Sequence, residues 1–420
     1  MRIVLLNTHS TLNRGDAGIV LAQIDLLRRY FSELKLSLTS RTPRVDRNFY
    51  EARGVQVYPP LTPAPGVFIG PGKKIVGSLK NLVDLKAKSE LLREFKESDL
   101  IIASGGGYLY SYGGFLPGPT FLQHALHIKI ANILKKPVIL FPQSFGPFLN
   151  SPASALLRSI LQEDNVRAVF AREEFSLRFL SELVGERHRE KIKFCPDLTF
   201  LLEKRNNPGI GRAVEGLHRP VLALTLRDWH FGEVKSTGER QRHRENYLRS
   251  LLETAAAFVE RFGGSVVVFP QAIGPGLLED DRIISLEFYQ RSRNLPGKER
   301  IVLLPSESLN SPYDVIDLLA RSDLVLATRF HSALFALIGG TPPIAIGYQH
   351  KSEGILRSLK MEEHFLNMAE LSSERVLGLV AKVLGRQNSV REMMKNEVAS
   401  SREKIVAGLD KYLKGYGRNF

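Results

Sequence analysis

The chain of 420 residues has one cysteine, one tryptophan and no apolar run as long as a membrane helix, and these shortages narrow what it can be. A single thiol, Cys195, excludes an intramolecular disulfide and a cysteine-based zinc site. It follows a short apolar strand in Phe194-Cys195-Pro196-Asp197, where a buried small hydrophobe is the plain reading. No window reaches the roughly eighteen uninterrupted apolar residues of a membrane span. The start, Met1-Arg2-Ile3-Val4-Leu5-Leu6, turns polar at Asn7. That stretch is too short for the core of a signal peptide, so a buried strand and a cytoplasmic protein are expected. Also missing are a Walker loop, a G-x-G-x-x-G fingerprint, a zinc knuckle, an RNP motif and a helix-turn-helix signature. Nucleic acid is therefore not expected as a partner, although the net charge is +14. The basic residues are scattered and often set beside acids, as in Arg240-Gln241-Arg242-His243-Arg244-Glu245. Phosphorylated small molecules and the inner face of a membrane account for the surplus more economically.

Apolar residues are plentiful at 43%, enough for packed cores, and the length exceeds one ordinary core, so two domains are expected. Short apolar runs alternate with amphipathic stretches, the pattern of βαβ units around mostly parallel sheets. Strands are predicted at Ile3–Leu6, Leu36–Leu38, Leu100–Ala103, Val138–Phe141 and Ala168–Ala171, with helices at Ala17–Tyr30 and Ser176–Leu183. The pattern then restarts. Strands are predicted at Val221–Leu226, Ser265–Phe269, Ile301–Leu304, Leu324–Ala327 and Pro343–Ile346. Helices fall at Tyr247–Phe262, Tyr313–Ala320 and Ser332–Ile338. Lys204–Gly211 is rich in turn residues and marks the linker. The expected division is 1–205, 206–370 and a tail, 371–420. The tail has charged helices at Ser373–Leu384 and Val390–Tyr412, of the kind that pack back across a domain junction.

An internal repeat supports two similar halves. Val138–Pro147 and Val266–Pro275 each run an apolar strand into Phe-Pro-Gln-x-x-Gly-Pro, with five of those seven positions identical. Each copy presents a loop at the carboxyl end of its strand, the edge where open α/β sheets bind ligands, and so Gln143 and Gln271 become candidate binding residues.

Four strand-end constellations can carry chemistry. Asn7–Gly18 joins a strand to a helix predicted to begin near Asp16 or Ala17, with Asp16 as candidate N-cap and the helix amides inviting an anion. Cap and turn are the plainer reading. In Ser104-Gly105-Gly106-Gly107, consecutive glycines mark a close approach to the main chain, by a ligand or by a packed helix in even balance. The stretch Tyr108–Pro119 reads as flexible and leads to a helix with His124 and His127 on one face; with no third ligand nearby, no metal is expected. Strongest is Ser322–Leu334. There a buried strand delivers Arg329 and His331 to its carboxyl end, Ser332 opens a helix, and Lys351 follows the next strand. Arginine can grip a carboxylate or phosphate bidentately, and a histidine at a helix start can meet the ligand. In Val169–Ser176, Arg172 ends a strand before a helix and can pair with Glu173 or Glu174, but beside the other cations an anion-facing role is preferred.

Together these blocks resemble the polysaccharide pyruvyl transferase family. The resemblance runs from Asn13-Arg14-Gly15-Asp16-Ala17 through Ser104–Gly107, Gln143–Pro147, Ala171-Arg172-Glu173-x-x-Ser176, Pro196-Asp197 and Arg329-Phe330-His331-Ser332 to Lys351. It implies a GT-B-like α/β fold, two Rossmann-like domains facing each other across a cleft. It further implies transfer of the enolpyruvyl unit of phosphoenolpyruvate, as co-substrate and without another cofactor, to sugar hydroxyls as a ketal. On that resemblance Arg172, Arg329 and Lys351 supply cations, and His331 is the candidate general acid/base. His124 lies where the family tends to place another phosphoenolpyruvate-contacting histidine. Phe330 departs from the family, which usually has an aliphatic residue there. Arg227-Asp228-Trp229 resembles the family's Arg-x-Trp region, and Trp229 can stack on a sugar or simply pack. The extension from there to Asn246 has no counterpart, which leaves the acceptor open. Pro63–Leu85 can touch a membrane-borne acceptor, a disordered or packing loop being the safer reading. A nucleotide-sugar glycosyltransferase of the same architecture, for whose acidic ribose ligand Glu353 could be mistaken, and a non-catalytic glycan-assembly protein are the rival readings.

Overall fold

The computed structural model describes residues 1–61, 85–112, 116–229, 236–347 and 350–417, with side chains omitted at 85–88, 350–352 and 417. Two compact units emerge. Unit 1 comprises Met1–Thr11, Ile19–Leu198 and the chain from Glu403 onward; unit 2 comprises Leu12–Gly18 and Thr199–Arg402.

Unit 1 carries strands β1 (Arg2–Thr8), β2 (Lys35–Ser40), β3 (Val55–Tyr58), β4 (Leu100–Ala103), β5 (Gly106–Ser111), β6 (Val138–Phe148), β7 (Val166–Ala171) and β8 (Ile192–Phe194). Among them lie helices α1 (Arg14–Tyr30), α2 (Pro43–Glu51), α3 (Leu85–Glu97), α4 (Pro119–Ile133), α5 (Ser151–Leu161) and α6 (Glu174–Val184). The sheet runs β3-β2-β1-β4-β6-β7-β8, with β5 pairing on β6, and all pairs are parallel. Parallel strands are covered on both faces by helices, which is why they read as unbroken apolar runs: all of β4 is fully buried.

Unit 2 contains α7 (Pro208–Ala213), β9 (Val221–Thr225), α8 (Thr237–Phe262), β10 (Ser265–Phe269), α9 (Asp281–Ser292), β11 (Ile301–Leu303) and α10 (Pro312–Ala320). It continues with β12 (Leu324–Ala327), α11 (Phe330–Gly339), β13 (Pro343–Gly347), α12 (His350–Ser358), β14 (Phe365–Asn367), α13 (Ser373–Gly385) and α14 (Gln387–Gly417). The parallel sheet is ordered β11-β10-β9-β12-β13-β14, the Rossmann sequence 3-2-1-4-5-6. Strand order reverses between β9 and β12 here, and between β1 and β4 in unit 1. Those two switch points are where such sheets bind ligands.

Several details differ from the sequence-based expectation. The stretch after the glycines is not flexible throughout, because Gly106–Ser111 pairs with β6 through Leu109 and Phe145. Helix α1 starts at Arg14, not at Asp16 or Ala17, and its first turn clusters with unit 2 while the rest clusters with unit 1. The units change over at Leu198/Thr199, and α14 passes from unit 2 to unit 1 at Glu403. Within the extension before Asn246, α8 already begins at Thr237, with the Ser236 hydroxyl accepting from Glu239 N. The Pro63–Leu85 segment lies outside the described side chains. No described helix is long and apolar enough to cross a membrane.

Candidate active site

In unit 2, β12 ends at Ala327 and α11 begins at Phe330, so Arg329 occupies the N-cap position in extended conformation. Thr328 ties this end to β9: its N–H donates to Thr225 Oγ1 at 3.1 Å and its hydroxyl to Thr225 O at 2.9 Å. Arg329 does not stand as an open cation. Its Nε donates to Asp281 Oδ1 and Oδ2 at 3.1 and 3.0 Å, its Nη2 to Asp281 Oδ1 and, at 3.3 Å, to Glu279 O. Asp281 is 1% exposed and also accepts from Ala272 N at 2.9 Å. Burial pushes its carboxyl up, and Arg329 and the Ala272 amide pull it back. Of the three guanidinium nitrogens of Arg329, Nε and Nη2 are thus held at the start of α9.

Gln271 and Ser332, both buried, hydrogen-bond to each other through Oε1 and the hydroxyl, which fastens α11 to the loop after β10. The segment Asn13–Asp16 closes onto the same loop. Arg14 N donates to Gln271 O at 3.3 Å, Ile273 N to Leu12 O at 2.8 Å, and Asn13 bridges Ala272. The Arg14 side chain is buried on Leu309 O (2.9 and 2.8 Å) and Ser306 O (3.2 Å), and burial lowers its pKa to about 10. Asp16 does not cap α1. It accepts from Asn13 Nδ2 at 2.9 Å, while Asn13 Oδ1 takes the Gly15 N–H at 3.0 Å.

His331, half-buried on the first turn of α11, lies directly over Gly15. A Cβ built on Gly15 would stand 2.6 Å from His331 Cγ and 2.8 Å from His331 Cβ, so only glycine allows the approach. Its ring also meets Phe330 and Phe335, at 5.2 and 6.1 Å between centroids. Trp229 packs against the unit 2 core and carries the Arg227 guanidinium over its ring at 4.3 Å, the packing alternative to a sugar platform. Lys351 falls in the first turn of α12, where its side chain lies outside the described atoms.

Unit 1 repeats the theme. At the end of β7, Arg172 Nη1 donates to Asp197 Oδ2 at 2.5 Å and Nε to Ser144 Oγ at 2.9 Å, all of them buried. Neither Glu173 nor Glu174 is the partner: Glu173 caps α6 by accepting from Ser176 N at 2.7 Å, and Glu174 pairs with Arg178. Gly105 answers the even balance in favour of packing, because an added Cβ would stand 2.6 Å from Pro142 O and 3.0 Å from Ile19. Gly106 has φ +131°, a backbone shape only glycine adopts readily. Gln143 is fully buried near Tyr108, and its amide atoms have no partner of hydrogen-bond geometry among the described residues.

His124 and His127 have different surroundings despite sharing a helix. His127 Nδ1 donates to Asn7 Oδ1 at 2.8 Å and Nε2 accepts from Leu61 N at 3.1 Å, so both ring nitrogens are satisfied, and burial lowers its pKa to about 4. His124 Nδ1 donates to Thr120 O at 2.7 Å. Its ring packs on Tyr108 (4.6 Å) and stacks on His9 (5.6 Å). Burial holds it well below the usual histidine range, helped by His9, His127 and Arg41. No described group of three or more His, Cys, Asp or Glu side chains could hold a metal.

Sequence reasoning missed the two aspartates that bind the strand-end arginines. Asp197 stands in the Pro196-Asp197 block without an assigned role; Asp281 has only the local signal of an Asp-Asp pair opening α9.

Two Rossmann-like units, with arginine and histidine gathered at the carboxyl ends of parallel strands, define an α/β enzyme of the GT-B-like class. The chain belongs to the polysaccharide pyruvyl transferase family, whose profile matches residues 13–350. It is 25% identical to the amylovoran biosynthesis protein AmsJ of Erwinia amylovora over 96% of both chains. In fold it is similar to HepE of Anabaena, solved with UDP and glucose (TM-score 0.60, 16% identity, 100% of both chains). It is also similar to a UGT transferase of Siraitia grosvenorii, solved with UDP (TM-score 0.56, 11% identity, 99% of both chains).

Proposed function

We propose that the protein transfers the pyruvyl group of phosphoenolpyruvate to hydroxyls of a cell-surface glycan or its lipid- or nucleotide-linked precursor, as a cyclic ketal. Family membership and the amylovoran relative support a role in exopolysaccharide assembly. The observation that carries the reading is the seating of His331 on Gly15, which joins two distant family blocks at one helix start.

The reaction needs one acceptor hydroxyl to add to C2 as its proton is removed and C3 gains a proton. The C2–O bond to phosphate then breaks, the second hydroxyl closes the ketal, and its proton departs. Phosphoenolpyruvate and a diol thus become ketal and inorganic phosphate. His331 can deliver or accept the proton, while Lys351 and helix-end amides ease phosphate departure. Arg329, tied to Asp281, holds α11 and therefore His331 in place. No cofactor beyond the co-substrate is invoked, and the proposed location is the cytoplasm, with peripheral contact at the membrane face that carries lipid-linked precursors.

A donor screen tests this. Phosphate should be released from phosphoenolpyruvate only when a glycan acceptor is present, and mass spectrometry should find the acceptor carrying a pyruvate ketal. Turnover should vanish in His331→Ala while phosphoenolpyruvate binding survives. Use of a sugar nucleotide as donor, with no interaction with phosphoenolpyruvate, would move the protein to the glycosyltransferases.

A further inference from the structure

Arg227 stands just beyond the carboxyl end of β9, at the point where the unit 2 strand order reverses. The neighbouring strand end is β12, fixed to it by the Thr328–Thr225 hydrogen bonds, and β12 leads to Arg329 and His331. Two other guanidiniums of this region have carboxylate partners. Arg329 is bound to Asp281, and Arg244 to Asp228 (2.8 Å) and Glu287 (2.6 Å). Arg227 is different. Among the described residues its guanidinium forms no hydrogen bond and no ion pair, and the adjacent Asp228 is already taken by Arg244. What holds it is the Trp229 ring beneath it at 4.3 Å.

Such a placement is costly for a cation in isolation. Burial is the first cause that lowers its pKa to about 10, and the neighbouring charge of Arg329 is the second; Asp281 and Glu279 offset only part of this. Two guanidiniums therefore share, in effect, the single buried carboxylate of Asp281. A guanidinium resting over an aromatic ring has its fork restrained, with donor nitrogens left for a bidentate acceptor. An anion at this strand end would balance the charge and complete the fork's hydrogen bonds.

We propose that Arg227 is an arginine of unit 2 that grips the anionic group of the ligand, with Trp229 as its platform. Resting on the reading of the protein as a phosphoenolpyruvate-dependent transferase, the anion is the phosphate or carboxylate of that donor. Arg329, held through Nε and Nη2 by Asp281 and Glu279 O, fixes the start of α11 beside it.

The test titrates phosphoenolpyruvate, inorganic phosphate and UDP separately against the full-length chain, its Arg227→Gln and Arg227→Lys variants and Arg329→Gln, with melting curves before and after each addition. The expected result is roughly ten- to hundredfold weaker phosphoenolpyruvate binding in Arg227→Gln, the value of one or two charge-assisted hydrogen bonds, with partial recovery in the lysine variant. Without ligand, Arg227→Gln should melt no lower than the parent because an uncompensated charge is removed, whereas Arg329→Gln should melt lower. Unchanged binding in Arg227→Gln overturns the assignment and leaves the donor reading standing. Parent binding of UDP but not phosphoenolpyruvate, lost in Arg227→Gln, supports the assignment and rejects the donor. A parent that binds none of the three anions, or an Arg227→Gln chain that melts as low as Arg329→Gln, overturns the assignment.

Discussion

His127 holds its place by being neutral, with Nδ1 donating to Asn7 and Nε2 accepting from Leu61 N. Its folded pKa of about 4 lies below the ordinary value near 6.5, so the unfolded chain binds a proton at a higher pH than the folded one. The stability it contributes is therefore complete above about pH 6.5 and is lost as pH falls from there through 4. The full loss is about 3 kcal/mol, at about 1.4 kcal/mol per pKa unit. The lowered pKa of His124 adds in the same direction. Urea unfolding at pH 7.5 and 5 should show a parent markedly weaker at the lower pH and a His127→Gln variant with a shallower dependence; equal slopes would show that His127 titrates normally. Arg172 and Arg329 make a related point. Each stands where sequence places a ligand-binding cation, yet each is matched to a buried aspartate 25 or 48 residues away along the chain, a pairing that no local pattern reveals.

At the scale of elements, the start of α1 sets two rules against each other. Replacing a helical glycine with alanine normally stabilises by up to about 1 kcal/mol. At Gly15 the new methyl would collide with the Cβ and ring of His331, atoms that no rotation of the ring can withdraw. Gly15→Ala should therefore destabilise by about 1–3 kcal/mol, as overpacking does, and lower turnover at least tenfold by moving His331. A more stable and fully active Gly15→Ala would mean that the histidine does not rest on this turn. How legible the elements were follows from burial. Strands β4, β10 and β12 are fully buried apolar runs, and their predicted bounds coincide with those observed. Strands β3 and β14 are short and partly exposed, so they leave no such run, and β5 opens with glycines that argue locally against a strand. Helix α8 begins before its apolar positions because a serine cap and the Arg244 ion pairs support an exposed, charged turn. The Phe-Pro-Gln-x-x-Gly-Pro repeat was legible as sequence, and both copies adopt a positive-φ glycine before a cis proline.

For the whole molecule, the scarcity of cysteine becomes a measuring device. Cys195 is fully buried, and burial together with Asp197 pushes its thiol well up, so reactive thiolate is suppressed twice over. The cover comes from the last helix, whose end clusters with unit 1 although its beginning clusters with unit 2. A Cβ on Gly408 would lie 3.9 Å from the sulfur; Ile405, Leu409 and Leu413 are fully buried; Tyr412 packs edge-on against Phe170 at 5.4 Å; and Tyr30 donates to Asp410 at 3.0 Å. Deleting that end would remove much else, so the sharper perturbation is one charge at the seam. Leu409→Asp should release the helix end locally, since a buried carboxylate without a partner costs several kcal/mol. Labelling of Cys195 by a maleimide should then change from slow, limited by global unfolding, to fast under native conditions, with the melting of unit 2 little altered. If the thiol stays as protected in Leu409→Asp as in the parent, the helix end is not what covers it, and the segment from Glu403 onward would have to be separated from the first unit's core.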